Sequence, residues 1–333
     1  MKCSDLGEFG LIRRFAPRFA LAADDPRYGI GDDCAVLPLS TDRVQLVTTD
    51  LLLEDRHFVR RWIAPHELGH KALAVNLSDI AAMGGTPTAA FCSLGLPGDI
   101  EVAWIDSFFE GVEELAKTTG CPLLGGDTTK ARDGLVINFA VLGEAEANRV
   151  KYRSGAQVGD ILAVTGYLGD SAGGLRLLQG GHPTSGPAET PLLTAHHRPQ
   201  PQLAAGHCLA VRSAVHAMLD VSDGVESDVR HLMDRSRVGA CIELTRLPYS
   251  PALQAVSNAH QWALETLALT GGEDYVLLCT IQADAFDEVA RALAQETGTT
   301  LHPIGTITDT DQLVYTRDGQ PATLSGHGFD HFR

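Results

Sequence analysis

Basic charge is scarce in this 333-residue chain: 26 lysines and arginines stand against 42 aspartates and glutamates, a formal charge of −16. Gripping a nucleic-acid backbone takes a stripe of cationic side chains, and none is present, so the balance speaks against a nucleic-acid partner. It does not exclude nucleotides, since carboxylates hold ATP through bridging metal ions. Paired cysteines are also missing. The seven (Cys3, Cys34, Cys92, Cys121, Cys208, Cys241, Cys279) are odd in number, scattered and never in a C-x-x-C pair, which points to a reducing compartment. No apolar run approaches membrane-spanning length, and the opening MKCSDLGEFGLIRRFAPRF breaks every short apolar stretch with charge. A cytoplasmic protein without membrane association is expected. No tandem repeat, heptad array or low-complexity tract is present.

The composition is 44% hydrophobic, enough over this length for two adjacent cores and hence two domains. Val44 to Asp50 has the β-branched density of a strand, and Pro65 to Met83 the length and Ala/Leu content of a helix closed by Gly84-Gly85. Phe91 to Leu96 reads as a strand, Ile100 to Thr118 as an amphipathic helix and Val136 to Gly143 as a strand. A second unit begins near Tyr152, with a strand at Ile161 to Thr165 and a helix opened by Gly169-Asp170-Ser171, where Asp170 or Ser171 is the expected cap. Gln179 to Pro191, rich in Gly, Pro and Ser, is an expected exposed loop inside the second domain. The fold class is mixed α/β.

Seven acids sit where carboxylates are awkward for folding, at element ends among glycines and hydroxyls: Asp32, Asp33, Asp50, Asp79, Asp127, Asp220 and Asp223. Two like charges about 4 Å apart cost on the order of 4 kcal/mol at an effective dielectric of 20, so a cluster of them needs a cation. Oxygen-only ligands suit magnesium or manganese better than zinc. Asp79 stands near a helix C-terminus, where the dipole disfavours it. In Asp220-Val221-Ser222-Asp223-Gly224, capping accounts for one polar side chain but not for two acids.

Other motifs lose to plainer readings. His66-Glu67-Leu68-Gly69-His70 fits H-E-x-x-H, but His66 lies in the fraying first helical turn, Gly69 weakens the scaffold and no third ligand stands at a recognisable spacing. An exposed helix start is the reading adopted. Gly125 to Lys130 (GGDTTK) lacks the Gly-Lys-Ser/Thr of a P-loop, leaving either an acidic turn or a glycine that admits phosphate beside a metal-binding Asp127. Thr165 to Leu175 reads as a strand-to-helix connection, Gly271 to Tyr275 as a charged turn or a site, and the Asn76 sequon is set aside because it falls in a helix.

Taken in order, GIGDDCAVL, TTDLLLEDRHF, KALAVNLSDIAAMGG, GGDTTK, RSGAQVGDILAVTGYLGDSAGGL, LDVSDGVESDV and GGEDYVLL resemble the thiamine-monophosphate kinases, a family of the aminoimidazole-ribonucleotide synthetase superfamily. The resemblance spans nearly the whole chain. It implies the two-domain superfamily fold, with residues 1–148 forming a dimerisation, metal and ATP domain whose second copy closes a shared β-barrel, and residues 149–333 a layered α/β domain. It implies a homodimer and transfer of the ATP γ-phosphate, with magnesium ions, onto thiamine monophosphate to form thiamine diphosphate.

By matching position, the resemblance assigns metal ligation to Asp33, Thr48, Thr49, Asp50, Asp79, Asp127, Asp220 and Asp223, with Asp50, Asp79 and Asp127 central to catalysis. Gly126, Asp127, Arg153 and Ser222 match nucleotide positions, and His57, Glu273 and Phe329 match acceptor positions. The chain departs from the family at Glu54-Asp55-Arg56, which adds bulk and charge before His57. Sister synthetases fit less well: Lys2-Cys3-Ser4 lacks the glycine-rich reactive-cysteine context of the selenophosphate enzymes, and the sequence closes on His331-Phe332-Arg333 where the hydrogenase-maturation relatives end in cysteine. His57 after TTD, with the GGEDY segment, favours the thiamine enzyme over the aminoimidazole-ribonucleotide one. A non-catalytic module would have lost metal ligands, and the matched acids are all present.

Overall fold

The structure, a computed structural model, describes residues 2–22, 24–182 and 184–323. Phe329 lies outside the described residues. In the first half, the alternating apolar runs form α1 (Cys3–Phe15, kinked at Gly7), β1 (Ala35–Pro38), β2 (Arg43–Leu53), α2 (Pro65–Ala82), β3 (Thr86–Leu96), α3 (Val102–Thr119), β4 (Leu123–Lys130) and β5 (Val136–Glu146). Their strands make a five-stranded sheet in the order β1-β2-β5-β3-β4, antiparallel except where β3 and β4 run parallel.

The second half contains β6 (Ile161–Val164), α4 (Asp170–Gln179), α5 (Glu189–His197), α6 (Leu203–Ala210), β7 (Val215–Asp220), α7 (Val225–Ser236), β8 (Gly239–Glu243), α8 (Pro251–His260), α9 (Leu264–Thr270), β9 (Leu277–Ile281), α10 (Phe286–Thr297), β10 (His302–Thr308), β11 (Leu313–Arg317) and β12 (Gln320–Ala322). Its seven strands are ordered β12-β11-β8-β10-β6-β9-β7. The arrangement is a mixed α/β fold in two parts, each with its own apolar core. Among the described residues no helix is long and apolar enough to cross a membrane.

Helix α2 joins the parts. Every residue from Leu68 to Ser78 is buried, so this helix is packed on all sides, and even at its start Pro65, His66 and Glu67 are half-buried. The sequence reading of an exposed helix start is corrected: the first turn is half-buried and His70 is only 3% exposed. Gly69 does not weaken α2 but lets α3 cross it closely: a Cβ there would lie 1.9 Å from the Phe108 carbonyl oxygen, and one at Gly111 would lie 1.9 Å from that of His66. Glycine at both crossing points is the price of backbone-to-backbone packing.

Three local expectations are corrected. Gly125 to Lys130 is no turn; it belongs to edge strand β4, whose eight residues are all exposed. Helix α4 has Gly169 at its N-cap with φ +84 and no side-chain cap, and the Gly169 N–H donates instead to Oδ2 of Asp274 at 2.8 Å. The loop expected to reach Pro191 ends earlier, because α5 starts at Glu189.

Candidate active site

The acids converge where β2, α2 and β7 meet. Strand β2 turns alternate side chains toward α2, so Thr48 and Asp50 share the helix side. Thr48 Oγ1 donates a short hydrogen bond to Oδ2 of Asp79 in the last turn of α2, and the Asp50 N–H donates to Oδ1 of buried Asn76 at 3.0 Å. From the other half, β7 ends at Asp220, whose Oδ2 accepts from Ser78 Oγ at 2.6 Å across the domain junction. Asp33, in the loop before β1, completes the group: one carboxylate oxygen from each of Asp33, Asp79 and Asp220 lies within 4.8 Å of the others.

The cluster is short of positive charge. Arg153 Nη2 donates to Asp33 Oδ1 at 2.5 Å, and its backbone N–H to both Asp32 oxygens at 3.1 Å. Oδ2 of Asp33 stays buried without a hydrogen-bond partner. Burial, then the charges of Asp50, Asp220 and Asp33, push Asp79 well above the ordinary carboxylate range. Burial and then Asp33 push Asp220 up to about 8 against the Ser78 hydrogen bond. Asp50 rises to about 6 through burial and Asp223, and Asp32 to about 7 through burial and Asp33. A buried, hard, oxygen-only donor set with an orphaned carboxylate oxygen fits a divalent cation such as magnesium.

This group opens into a cavity of about 890 Å³ lined by residues of both halves, among them Asp50, His57, Asp79, Asp220, Ser222, Asp223 and Glu273. At its far end Glu273 accepts from Lys71 Nζ through both oxygens, at 3.0 and 3.1 Å, and meets His196 Nδ1 at 3.3 Å. Glu273 and Tyr275 adopt φ +64 and +49, a left-handed region costly for side-chain-bearing residues. Backbone hydrogen bonds from Glu273 N to Ser222 O (2.8 Å) and Tyr275 N to Val221 O (2.9 Å) hold them there. His57 is oriented by accepting the Leu53 N–H at Nδ1, 2.9 Å away.

Not every assigned residue reaches this point. In the sheet register Asp50 stands opposite Phe139, Phe139 opposite Cys92 and Cys92 opposite Gly126, which puts Gly126 three strands, about 14 Å, from Asp50. Asp127 occupies the next row, with Ser93, Asn138 and Leu51, so it faces the opposite side of the sheet together with Thr49. Gly126 is required by its neighbour, since a Cβ would lie 1.7 Å from the Cys92 carbonyl oxygen. Thr49 Oγ1 donates to Phe139 O at 3.0 Å. In the departing segment, Glu54 turns from the cavity to Arg60 (2.5 Å) and the Leu135 N–H (2.8 Å), while Asp55 and Arg56 line it.

Sequence reasoning missed Lys71, His196, Asn76 and Ser78. Lys71 had a signal: a lysine inside an otherwise apolar helical run has to find a buried anion. His66 and His70 engage separate protein partners, His66 meeting Glu114 at 3.2 Å and His70 the Pro199 carbonyl at 2.9 Å.

Residues 31–145 match the AIR synthase related protein, N-terminal domain, and residues 157–317 the AIR synthase related protein, C-terminal domain. The thiamine-monophosphate kinase of Escherichia coli K12 is 39% identical over 331 residues, covering 98% of both chains. That of Bacillus subtilis is 34% identical over 98% of this chain and 100% of its own. A solved structure of AaThiL complexed with AMPPCP and TMP superposes with a TM-score of 0.87 at 32% identity, covering 99% of each chain. With both domains matched in order and the relatives aligned nearly end to end, this chain belongs to the thiamine-monophosphate kinase family.

Proposed function

We propose that this protein transfers the γ-phosphoryl group of ATP directly onto thiamine monophosphate, forming thiamine diphosphate and ADP. The observation that carries it is the meeting of Asp33, Asp79 and Asp220 within 4.8 Å beside a cavity that also holds Glu273 and His57. The relatives' names and the solved complex with the ATP analogue AMPPCP and TMP support the same donor and acceptor. An oxygen of the acceptor phosphate forms the new bond to the γ-phosphorus as the bond to the β-phosphate oxygen breaks. The attacking group is already an anion, so no base has to remove a proton, and positioning with charge neutralisation carries the catalysis.

Asp33, Asp79 and Asp220, with Thr48 and Asp50, are the residues that would hold magnesium, while Asp223 groups with Asp228 and His231. When bound, magnesium supplies the positive charge that lets two phosphate chains approach each other. Arg153 spends Nη2 on Asp33, leaving its other donors for the nucleotide alongside Ser222. Glu273, its charge already balanced by Lys71, would offer its carboxylate oxygens at the cavity wall to the thiazolium, and the conformation of its loop keeps it there. We divide the chain at residues 148 and 149, between β5 and β6, and read the protein as cytoplasmic.

A second copy is part of this reading. Leu51 and Phe91, 50% and 37% exposed, lie on the uncovered face of the first sheet, next to the exposed strand β4 with Leu123 and Leu124. Apolar surface of this kind is what an isologous partner covers, and pairing the edge strands of two such sheets, with these faces turned inward, would close a barrel. Gly126 and Asp127 keep a nucleotide and metal role if that dimer brings β4 to an acidic cluster. An Asp127→Asn variant with unaltered nucleotide affinity and turnover removes Asp127 from the set.

Incubation with ATP, magnesium and thiamine monophosphate, followed chromatographically for thiamine diphosphate, tests the activity. Product that disappears with EDTA and does not form from free thiamine is the expected result. ATP binding without product would shift the reading to a sister synthetase.

A further inference from the structure

Asp223 belongs by geometry to a second group, chemically unlike the oxygen-only cluster. It precedes Gly224, the N-cap of α7, and Asp228 and His231 lie three residues apart on that helix, hence side by side on its surface. One ligand atom from each of Asp223, Asp228 and His231 lies within 4.8 Å of the other two. Asp228 is 2% exposed, yet its Oδ2 has no hydrogen-bond partner, and Nε2 of His231 has none either. Two orphaned polar atoms on one helical turn, next to a third ligand, are an exception to the rule that buried polar groups are paired. A single cation among them would satisfy both.

Arg153 exerts an electrostatic pull on Asp228, and burial followed by the charges of Arg153, Arg13 and Arg235 pushes His231 down to about 4, so its ring is a neutral donor. Arg153 Nη2 is committed to Asp33 at 2.5 Å, while its buried Nε has no hydrogen-bond partner. The His231 ring is held against Phe9 with centroids 4.4 Å apart, which limits its swing. Magnesium takes oxygen ligands, whereas an imidazole in the set shifts preference to first-row transition cations. We infer that Asp223, Asp228 and His231 form a mixed carboxylate and imidazole site for a cation of the Mn²⁺ class. The chain then holds two kinds of metal at neighbouring positions, magnesium at Asp33, Asp79 and Asp220 and the transition ion at the start of α7. The site goes beyond the proposed phosphoryl transfer, and metal binding without substrate tests it separately from activity.

The experiment uses the full-length protein, stripped of metal, in excess Mg²⁺, titrated with Mn²⁺ and followed by electron paramagnetic resonance. One Mn²⁺ per chain is expected to persist under about a hundredfold excess of Mg²⁺. Its spin echo should carry the modulation of a directly bound imidazole nitrogen. His231→Phe is expected to abolish that modulation and weaken Mn²⁺ binding about tenfold or more, with Asp228→Asn weakening it similarly and circular dichroism reporting that both variants fold. Displacement of all Mn²⁺ by Mg²⁺, bound Mn²⁺ without nitrogen modulation, or modulation surviving in His231→Phe would each overturn the site. The wild-type spectrum decides the matter even where a variant fails to fold.

Discussion

At one end of the cavity Asp33, Asp79 and Asp220 crowd together with Arg153 as their contacting cation, while at the other Glu273 rests against Lys71 and His196. Lys71 and Asp79 stand on one helix eight residues, or about 12 Å, apart, so both conditions are built into α2. The chain neutralises its own carboxylate where a cationic heterocycle would dock and leaves its carboxylates under-compensated where phosphates and metal would meet. Excess negative charge thus marks where a diffusible cation is needed, and a paired carboxylate marks where the fold supplied one.

The strongest way to break this contrast is Asp79→Asn. Turnover should fall about a hundredfold or more, since electrostatic groups at a reacting centre contribute on that scale, while the melting temperature of the metal-free protein stays level or rises. A melting temperature that falls with unchanged turnover would make Asp79 structural. Next in size is the response to pH without metal. Asp220 and Asp50 have folded pKa values of about 8 and 6, above their unfolded values, so the folded state holds the extra protons. The stability this contributes is present at low pH and lost as pH rises toward 8. In EDTA the melting temperature should drop by about 5 °C between pH 5 and pH 8, and saturating Mg²⁺ should restore most of that loss at pH 8.

The paired end is probed by an asymmetry. Lys71 is 1% exposed and Glu273 27%, so Glu273→Gln strands a deeper charge than Lys71→Met does. Denaturant unfolding should show Glu273→Gln to be the more destabilising, by about 1–2 kcal/mol after allowing for solvent at Glu273, with KM for thiamine monophosphate raised more than kcat is lowered. Equal costs would mean the pair is not the asymmetric clamp drawn from the burial. The smallest effect is expected for Ser78→Ala, which removes one hydrogen bond from Asp220 and should weaken Mg²⁺ binding several-fold, as calorimetry would read.

Much of this was legible in order along the chain. Asp33, Asp79 and Asp220 stood out because each breaks a local rule: an acid at a helix C-terminus, a pair of acids where one cap suffices, a carboxylate among glycines. His196 did not stand out, because a histidine breaks no local rule of capping or turn formation, and Lys71, though conspicuous within an apolar helical run, could not be matched to its anion, which lies about two hundred residues away in sequence. Asp127 was legible as an acid but not as a residue on the far side of a sheet, since strand register belongs to the pairing of β3, β4 and β5.

The sequence by itself determined the mixed α/β class and most element types, though not strand β4, because apolar periodicity and glycine or proline punctuation act within a few residues and β4 has no apolar alternation of its own. It also determined the oxygen-rich chemistry, which depends only on which side chains are present. Tertiary structure alone decided which acids share a cation, which of them is paired by Lys71, and why Gly69 and Gly126 tolerate no side chain. Those outcomes depend on distances and burial between residues up to about two hundred positions apart, such as Lys71 and Glu273, and a charge changes its meaning with the dielectric and the neighbours that packing gives it.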